Sequence, residues 1–186
     1  MKAHDANLKC QAGFYCTGGS TTKTPGNPKY HASVPTNTGY GDMCRKGHYC
    51  GEQSTKQFAC EATKFLPYDM ASLASECIAC PNGKYCPTAG LWDLSGTTND
   101  CEEGYYCQTS AVNARQYSCD YDEYCESGTL WPVKCRPEEY TPTSKASSCT
   151  TCNAGKRCVG GSVTDCAAGT YCAGNKVTSC PPGYYG

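Results

Sequence analysis

The sequence predicts a small disulfide-rich repeat protein, an elongated rod of short hairpins and turns with little helix. Three observations predict this fold class: one cysteine-anchored motif recurs ten times, about a tenth of the residues are cysteines, and large aliphatic residues are scarce. Recurrence at a short period indicates small structural units, each of which contacts mainly its neighbours.

The motif is C-x2-G-x-Y, followed in most copies by a second cysteine. We number the repeats 1 to 10 by their leading cysteines, which are Cys10, Cys44, Cys60, Cys80, Cys101, Cys119, Cys135, Cys152, Cys166 and Cys180. The third position after the leading cysteine is Gly in seven repeats, and the fifth is aromatic in nine. Gly there suits a turn with positive φ or a close backbone approach, and the Tyr ring can cover a neighbouring disulfide while its hydroxyl stays in water. Each repeat should therefore be a turn, a short extended stretch and a return.

Composition indicates that covalent links replace a hydrophobic core. The chain has 19 Cys in 186 residues, whereas Leu, Ile, Val and Phe together number 16. This cysteine content is above the level that marks a disulfide scaffold, and the aliphatic content is below that of an ordinary folded domain. We therefore expect an oxidising compartment, either extracellular or at the cell surface.

Charge and hydropathy argue against two classes of partner. The net charge is −1 and the Lys and Arg residues are scattered singly, so no basic stripe for nucleic acid is expected. No apolar run approaches the roughly 18 residues of a membrane span. The polar N-terminus lacks the apolar segment of a secretory signal, so we expect a mature piece or a fragment of a longer chain.

The cysteines follow a rule of two per repeat, which suggests a pairing. Repeats 3 and 7 have Leu66 and Thr141 at the sixth position but carry a distal cysteine, which predicts Cys60–Cys77 and Cys135–Cys149. In the other repeats the same rule pairs Cys10–Cys16, Cys44–Cys50, Cys80–Cys86, Cys101–Cys107, Cys119–Cys125, Cys152–Cys158 and Cys166–Cys172. Cys180 is left over, with a partner in a continuing chain or in a second molecule.

Two other registers remain open at this stage, because connectivity cannot be derived from sequence alone. One register links the second cysteine of a repeat to the next leading cysteine, as in Cys16–Cys44, Cys50–Cys60 and Cys107–Cys119. It forces very small rings at Cys77–Cys80 and Cys149–Cys152. The other register alternates, as in Cys152–Cys166 with Cys158–Cys172.

The chain divides into three groups of repeats. They are residues 1–59 with an insertion at 17–43, residues 60–134, and residues 135–186 with a truncated last repeat. The insertion is rich in Ser, Thr, Pro and Gly, which is typical of linkers and of O-glycosylated segments. The candidate O-glycosylation sites of this glycoprotein hypothesis are Thr21, Thr22, Thr24, Thr36, Thr38, Thr141 and Thr143. A bare polar loop is the alternative.

One segment has helical periodicity. Met70, Leu73, Ala74 and Cys77 fall on one helical face behind a possible cap at Asp69. This predicts one or two helical turns here and almost no helix elsewhere.

The segment Cys135-Arg-Pro-Glu-Glu-Tyr-Thr-Pro-Thr-Ser-Lys-Ala-Ser-Ser-Cys149-Thr-Thr-Cys152 resembles the ephrin-receptor-like cysteine-rich repeat, a rod-like module of the growth-factor-receptor type. The shorter repeats, such as Cys166-Ala-Ala-Gly-Thr-Tyr-Cys172, look like variants in large surface proteins of protists and algae. The resemblance covers nearly all of the chain outside 17–43, and it departs at Arg157 and Asp122. It implies an extracellular rod, as in mastigonemes, the hairs on flagella, and other surface filaments. No catalytic residue belongs to the motif.

Residues that could bear other chemistry are better explained by the repeat. The pairs Cys77/Cys80 and Cys149/Cys152 have zinc-like spacing, but about 70 residues separate the pairs and each fits a junction between repeats. Two acidic clusters, Asp120/Asp122/Glu123 and Glu102/Glu103, lack the context of a calcium loop or an acid/base pair. His4, His31 and His48 are isolated. We therefore predict a non-enzyme without catalytic residues, cofactor or metal site.

Seven tyrosines lie outside the fifth position of the motif: Tyr30, Tyr40, Tyr68, Tyr105, Tyr117, Tyr121 and Tyr184. Because Tyr is enriched at interfaces, we hypothesise lateral or end-to-end contacts with other copies, although local packing on the bridges is also open. The expected function is that of a structural protein, a building block of a protein fibril such as a filament, a mastigoneme-like flagellar hair or a cell-surface coat. The expected partners are other copies of the chain and glycans. The alternative is a receptor or adhesion ectodomain that binds a ligand or carbohydrate.

Overall fold

Repeats 1 to 9 are built around short antiparallel pairings that each end on the next leading cysteine. The structure is a computed structural model that describes residues 9–26 and 40–184. In each of these repeats the outgoing segment follows the third motif position, and the returning segment directly precedes the next leading cysteine. The hairpin character predicted from the sequence is therefore confirmed.

Eight of these repeats contain a two-stranded antiparallel sheet. The pairs are β1 (Phe14–Cys16) with β2 (Gly41–Met43), β3 (His48–Tyr49) with β4 (Phe58–Ala59), β5 (Lys64–Phe65) with β6 (Ile78–Ala79), β7 (Tyr105–Tyr106) with β8 (Tyr117–Ser118), β9 (Glu123–Tyr124) with β10 (Val133–Lys134), β11 (Glu139–Tyr140) with β12 (Thr150–Thr151), β13 (Lys156–Val159) with β14 (Ser162–Asp165), and β15 (Thr170–Ala173) with β16 (Lys176–Ser179). The four-residue strands of repeats 8 and 9 are joined by the two-residue turns Gly160-Gly161 and Gly174-Asn175.

Repeat 4 replaces the strand pair with a single bridge between Lys84 and Asp100. The Lys84 ammonium forms an ion pair with the Asp100 carboxylate and donates to the carbonyls of Gly96 (2.6 Å) and Thr98 (3.2 Å). The loop of repeat 4 is the longest among the repeats that are described in full. Contacts of the Lys84 side chain hold its two ends together, where the other repeats have a strand pair.

The predicted helical segment forms one turn, but that turn does not begin at the cap predicted at Asp69. A single turn of 3-10 helix covers Ala74–Glu76, and it is the one helix among residues 9–26 and 40–184. Met70 has a positive φ of 67°, which no right-handed helix contains, and the Asp69 carboxylate accepts the Lys46 N–H (2.9 Å) instead of capping. The helix begins late because the Met70 N–H bonds to the Cys44 carbonyl (2.7 Å), so a contact between repeats overrides the local periodicity.

Nine disulfides follow the register that keeps both sulfurs within one repeat. They are Cys10–Cys16, Cys44–Cys50, Cys60–Cys77, Cys80–Cys86, Cys101–Cys107, Cys119–Cys125, Cys135–Cys149, Cys152–Cys158 and Cys166–Cys172. The Cα–Cα distances of 5.7–6.2 Å lie within the range for disulfides. Cys180 is the free cysteine of the part of the chain that the structure describes.

Cysteine dominates the interior. In the described ranges, 13 of the 19 buried hydrophobic residues are cysteines, and the largest fully buried apolar side chains are Phe14 and Leu66. Small apolar clusters surround individual bridges, as where Leu66 and Ala71 pack on Cys60. The scarcity of aliphatic residues therefore agrees with an interior that consists mainly of cysteine side chains.

Contacts divide the chain into two compact units. One comprises Met1–Cys80 with Cys86–Ser95, and the other comprises Pro81–Tyr85 with Gly96–Gly186. Within residues 9–26 and 40–184, no helix has the length and hydropathy needed to cross a membrane.

Candidate functional site

The junction between consecutive repeats is the feature that recurs most regularly. At all nine junctions the N–H of a leading cysteine donates to the carbonyl of the third motif position in the preceding repeat, at 2.8–3.3 Å. The acceptors are Gly13, Gly47, Thr63, Gly83, Gly104, Asp122, Glu138, Gly155 and Gly169. Because only backbone groups take part, the junction does not depend on side chains at either position.

In repeats 1 to 6 a second bond makes the junction reciprocal. The N–H of the third position donates to the carbonyl of the sixth position in the next repeat, as from Gly47 to Leu66 (2.8 Å). Repeat 6 is the exception, because the Asp122 N–H donates to the Thr141 hydroxyl (2.8 Å). Thr141 is fully buried, so this side chain replaces the carbonyl found at the other junctions.

A third bond comes from a residue in the left-handed conformation. Its N–H donates to the carbonyl of the cysteine that leads the preceding repeat, as from Gln53 to Cys10, at 2.7–2.9 Å. The donors are Gln53, Met70, Gly90, Gly128 and Lys145, with φ between 63° and 77°. Positive φ is unusual for a non-glycine residue, so the hydrogen bond offsets a conformational cost.

The glycine at the third position also permits contact with the repeat after next. A Cβ on Gly47 would collide with the Gly90 carbonyl oxygen, and one on Gly104 with that of Lys145. Both glycines have φ of 79°. Positive φ and close backbone approach, the two reasons predicted from the sequence, therefore apply together at these positions.

The contact with the repeat after next continues where glycine is absent. Asp122 occupies the third position of repeat 6 with φ of 60°, and its carboxylate accepts the Gly160 N–H of repeat 8 (2.8 Å). In repeat 7 the Pro137 carbonyl accepts the Asn175 N–H of repeat 9 (3.1 Å). A side chain in repeat 6 and a backbone carbonyl in repeat 7 therefore form the contact with the repeat after next that glycine permits elsewhere.

Two tyrosines of the fifth position lie on neighbouring bridges. Tyr49 of repeat 2 packs on the cluster that contains Cys60 and Cys77 of repeat 3, and Tyr85 of repeat 4 packs on Cys101 and Cys107 of repeat 5. Both rings are partly exposed. This arrangement confirms the predicted packing of Tyr on the neighbouring disulfide.

The surplus tyrosines have contacts within the chain. Tyr40 lies against Gly19, Tyr121 lies against Gly161, and Tyr117 stacks on Tyr106. Tyr105 lies beneath the cations of Arg115 and Lys145, and Tyr68 donates to Glu76. Tyr184 is the most exposed, at 76%, and Tyr30 lies outside the described residues. Local packing therefore accounts for five of the seven.

A carboxylate organises the long loop of repeat 3. Glu76 accepts the Ser72 N–H (2.8 Å), the Leu73 N–H (2.8 Å) and the Ser72 hydroxyl (2.9 Å), and Tyr68 donates to its other oxygen. The Ser72 N–H is the main cause of a lowered pKa for Glu76, which the other donors lower further. This loop also presents Met70 and Ala71 to repeat 2, so Glu76 supports that junction.

The candidate glycosylation sites differ in access. Thr21 and Thr143 are exposed, and Thr22 and Thr24 are half-buried. Thr141 is buried and its hydroxyl accepts the Asp122 N–H, which leaves no room for a glycan there in the folded chain. Thr36 and Thr38 lie outside the described residues.

The other residues considered for chemistry are dispersed. Cys77 and Cys149 pair with Cys60 and Cys135, so neither C-x2-C pair is available to zinc. Glu102 pairs with Arg115, and the His48 ring contacts the Lys46 carbonyl. In the described ranges, no group of three or more His, Cys, Asp or Glu is arranged to hold a metal ion.

Sequence reasoning missed the left-handed donor and the role of Thr141. Gly90 and Gly128 recur nine or ten residues after a leading cysteine and were a signal for the donor. Because the equivalent positions of repeats 2, 3 and 7 are Gln53, Met70 and Lys145, glycine does not mark the donor consistently. Nothing in the sequence distinguishes the Thr141 hydroxyl from that of any other threonine.

No protein-family model matches this chain, and no curated protein is significantly similar to it.

Proposed function

We propose that this chain is a structural extracellular protein, a building block of a filament, of a mastigoneme-like flagellar hair or of a cell-surface coat. The observation that supports the proposal is the backbone hydrogen bond that recurs at all nine junctions. The backbone groups of this bond are present in every repeat, so further repeats of the same kind can be added to the chain. Such a protein lengthens without a new core, as repeat proteins do.

The disulfides support the same proposal. Each bridge joins two cysteines of one repeat and fixes its motif turn, so a repeat depends less on a large apolar core. Disulfide-rich chains of this kind are typical of oxidising, extracellular environments. The resemblance to ephrin-receptor-like repeats belongs to the same proposal, and in it the partners are other copies of the chain and glycans.

Assembly is tested on the full chain, expressed through an oxidising secretory pathway and kept free of reductant. We expect sedimentation velocity to show large species whose proportion rises with protein concentration, and negative-stain images to show periodic fibres. The receptor alternative predicts a monomer at every concentration, with binding to a component of a glycan array. A monomer would overturn the structural proposal.

Two variants test whether an exposed tyrosine forms the contact between copies of the chain. Tyr184→Ser removes the most exposed tyrosine, whereas Tyr68→Ser is the control at an exposed tyrosine that already has a partner in Glu76. If the surplus tyrosines join copies, Tyr184→Ser reduces the assembled fraction and Tyr68→Ser does not. Cys180→Ser tests in the same assay whether the free thiol links copies covalently.

A further inference from the structure

Two phenols face each other across the hairpin of repeat 5. Tyr106 and Tyr117 are register partners in the antiparallel pair β7–β8. Their rings stack with centroids 5.3 Å apart and planes 28° apart. Tyr117 is 44% exposed and Tyr106 is half-buried, so a solvent-borne reactant reaches the pair from one side.

No other described repeat presents two phenols at these two positions. The fifth motif position is opposite the second residue before the next leading cysteine, and the corresponding pairs are Tyr15–Asp42, Tyr49–Phe58, Phe65–Ile78, Tyr124–Val133, Tyr140–Thr150, Arg157–Thr164 and Tyr171–Thr178. Tyr49 and Phe58 stack in a similar way, with centroids 5.8 Å apart, but Phe58 lacks the hydroxyl. Repeat 2 is therefore a natural comparison for repeat 5.

Repeat 5 also lacks a covalent link to its returning strand. In repeat 3 the bridge Cys60–Cys77 ends directly before β6 and so encloses the loop of the hairpin. In repeat 5 the bridge Cys101–Cys107 ends directly after β7, and β8 is held by non-covalent contacts. A bond between Tyr106 and Tyr117 would supply the missing link across the hairpin.

We propose that Tyr106 and Tyr117 are a site of oxidative phenolic cross-linking, at which a haem peroxidase with hydrogen peroxide joins the two rings through a carbon–carbon bond. Each phenol gives up one electron and one proton to form a phenoxyl radical. The two radicals combine at ring carbons ortho to oxygen, and the hydrogens on those carbons shift so that both rings regain their phenols. The pair loses two electrons and two protons, and these reduce one hydrogen peroxide to two waters.

Proximity favours this pair over coupling between molecules. The two rings are held together by the strand pairing, so each radical meets its partner at a far higher effective concentration than it meets another chain in dilute solution. The cross-link does not depend on the proposed function, because it forms within one chain.

The test treats the dilute, full-length, disulfide-bonded chain with a peroxidase and hydrogen peroxide, and then reduces, alkylates and digests it with trypsin. Cleavage after Lys84, Arg115 and Lys134 places the two tyrosines in separate peptides, 85–115 and 116–134. We expect these peptides joined, with a mass two hydrogens below their sum, and fragmentation that assigns the bond to Tyr106 and Tyr117. Joined peptides whose bond involves other tyrosines would overturn the proposal.

Matched variants separate geometry from exposure. Tyr117→Phe keeps the stacked ring and should abolish the joined peptide, whereas Tyr121→Phe should leave its yield unchanged. Tyr121 lies in the same peptide and is 46% exposed, so the two positions differ mainly in the stacked partner. Equal losses in both variants would show that exposure alone directs coupling and would refute the proposed site.

A gain-of-function variant uses the comparison repeat. Phe58→Tyr gives repeat 2 two stacked phenols, and we expect a new cross-link to Tyr49 that joins peptides 47–56 and 57–64. Absence of that cross-link while Tyr106–Tyr117 couples would contradict the argument that cross-strand stacking is sufficient.

Discussion

At the residue scale, one backbone position carries several constraints. The third residue of the motif donates to the next repeat, accepts from it and, at Gly47 and Gly104, contacts the repeat after next. Thr63 and Asp122 also adopt positive φ there, at 80° and 60°, so glycine is favoured by conformation but not obligatory. What glycine alone tolerates is the approach of a backbone carbonyl where a Cβ would be.

Two glycines with nearly the same φ distinguish the effect of the left-handed conformation from the effect of the close carbonyl. Gly104 has φ of 79° and faces the Lys145 carbonyl, whereas Gly155 has φ of 78° and faces open space. Gly155→Ala should cost about 1 kcal/mol of unfolding free energy from the left-handed backbone alone. Gly104→Ala should cost about 1–3 kcal/mol more because the added methyl overpacks the contact.

Denaturant unfolding without reductant measures both variants, and hydrogen exchange of the Cys119 N–H, which bonds to the Gly104 carbonyl, gives a local measure. Gly18→Ala is a neutral control, because Gly18 has no neighbour near its Cβ position and no positive φ. Equal losses for Gly104→Ala and Gly155→Ala would mean that the contact with repeat 7 contributes nothing.

At the element scale, a loop rather than a strand connects repeat 3 to repeats 1 and 2. The loop that ends in the 3-10 helix Ala74–Glu76 presents the Met70 N–H to Cys44 and the Ala71 carbonyl to Cys50. Its shape depends on Glu76, which gathers donors from Ser72, Leu73 and Tyr68. A local carboxylate therefore controls a junction between repeats.

Acid should loosen this loop. The Ser72 N–H and the other donors hold the pKa of Glu76 below its ordinary value, so the folded loop binds a proton less readily than the unfolded chain. The stabilisation is complete above the unfolded pKa of about 4.3 and is lost as the pH falls from there through the lower folded pKa. The protection factors of the Ser72 and Leu73 amides, obtained from hydrogen exchange at each pH, measure the loss.

Glu76→Gln is the matched variant, because the amide oxygen still accepts hydrogen bonds but does not titrate in this range. The pH dependence of the Ser72 and Leu73 protection factors, which are corrected for the intrinsic exchange rate at each pH, should disappear in this variant. If it persists, another group governs the loop and the assignment to Glu76 is wrong.

At the scale of the whole molecule, stability is distributed over repeats that each contain their own disulfide. The bridges differ in the length of chain they enclose and in the side chains packed on them: Cys60–Cys77 spans 17 positions and supports the Leu66 cluster, whereas Cys166–Cys172 spans six. In the chain-entropy model the longer loop contributes about 3 kcal/mol and the shorter about 2.4 kcal/mol. Removal of the buried bridge also leaves a cavity beneath Tyr49.

Paired substitution of both cysteines by Ala tests this ranking. The Cys60→Ala/Cys77→Ala chain should lose more unfolding free energy than the Cys166→Ala/Cys172→Ala chain, as measured by denaturant unfolding without reductant. A larger loss for the C-terminal bridge would show that loop length and burial do not decide the contribution of a bridge.

Some features of the fold could be predicted from the sequence and others could not. Leu66 and Thr141 occupy the position at which the other repeats have their second cysteine, and Cys77 and Cys149 follow later in the same two repeats. This substitution was sufficient to predict the bridges of repeats 3 and 7. The segment from Asp69 was expected to begin a helix, because periodicity describes a local preference and cannot include the bond from Met70 to Cys44. The left-handed donors and the buried Thr141 hydroxyl have no local signature, because their roles exist only when two repeats meet.

The sequence by itself determined the repeat, its turn glycine, its rule of two cysteines and the aromatic position that can cover the next bridge. These features follow from covalent spacing and from the conformational freedom of single residues, which a linear pattern records. Only the tertiary structure decided which backbone groups join neighbouring repeats, where side chains substitute for them, and that Tyr106 stacks on Tyr117. Those choices depend on atoms that are distant in the chain and meet only after the hairpins have formed.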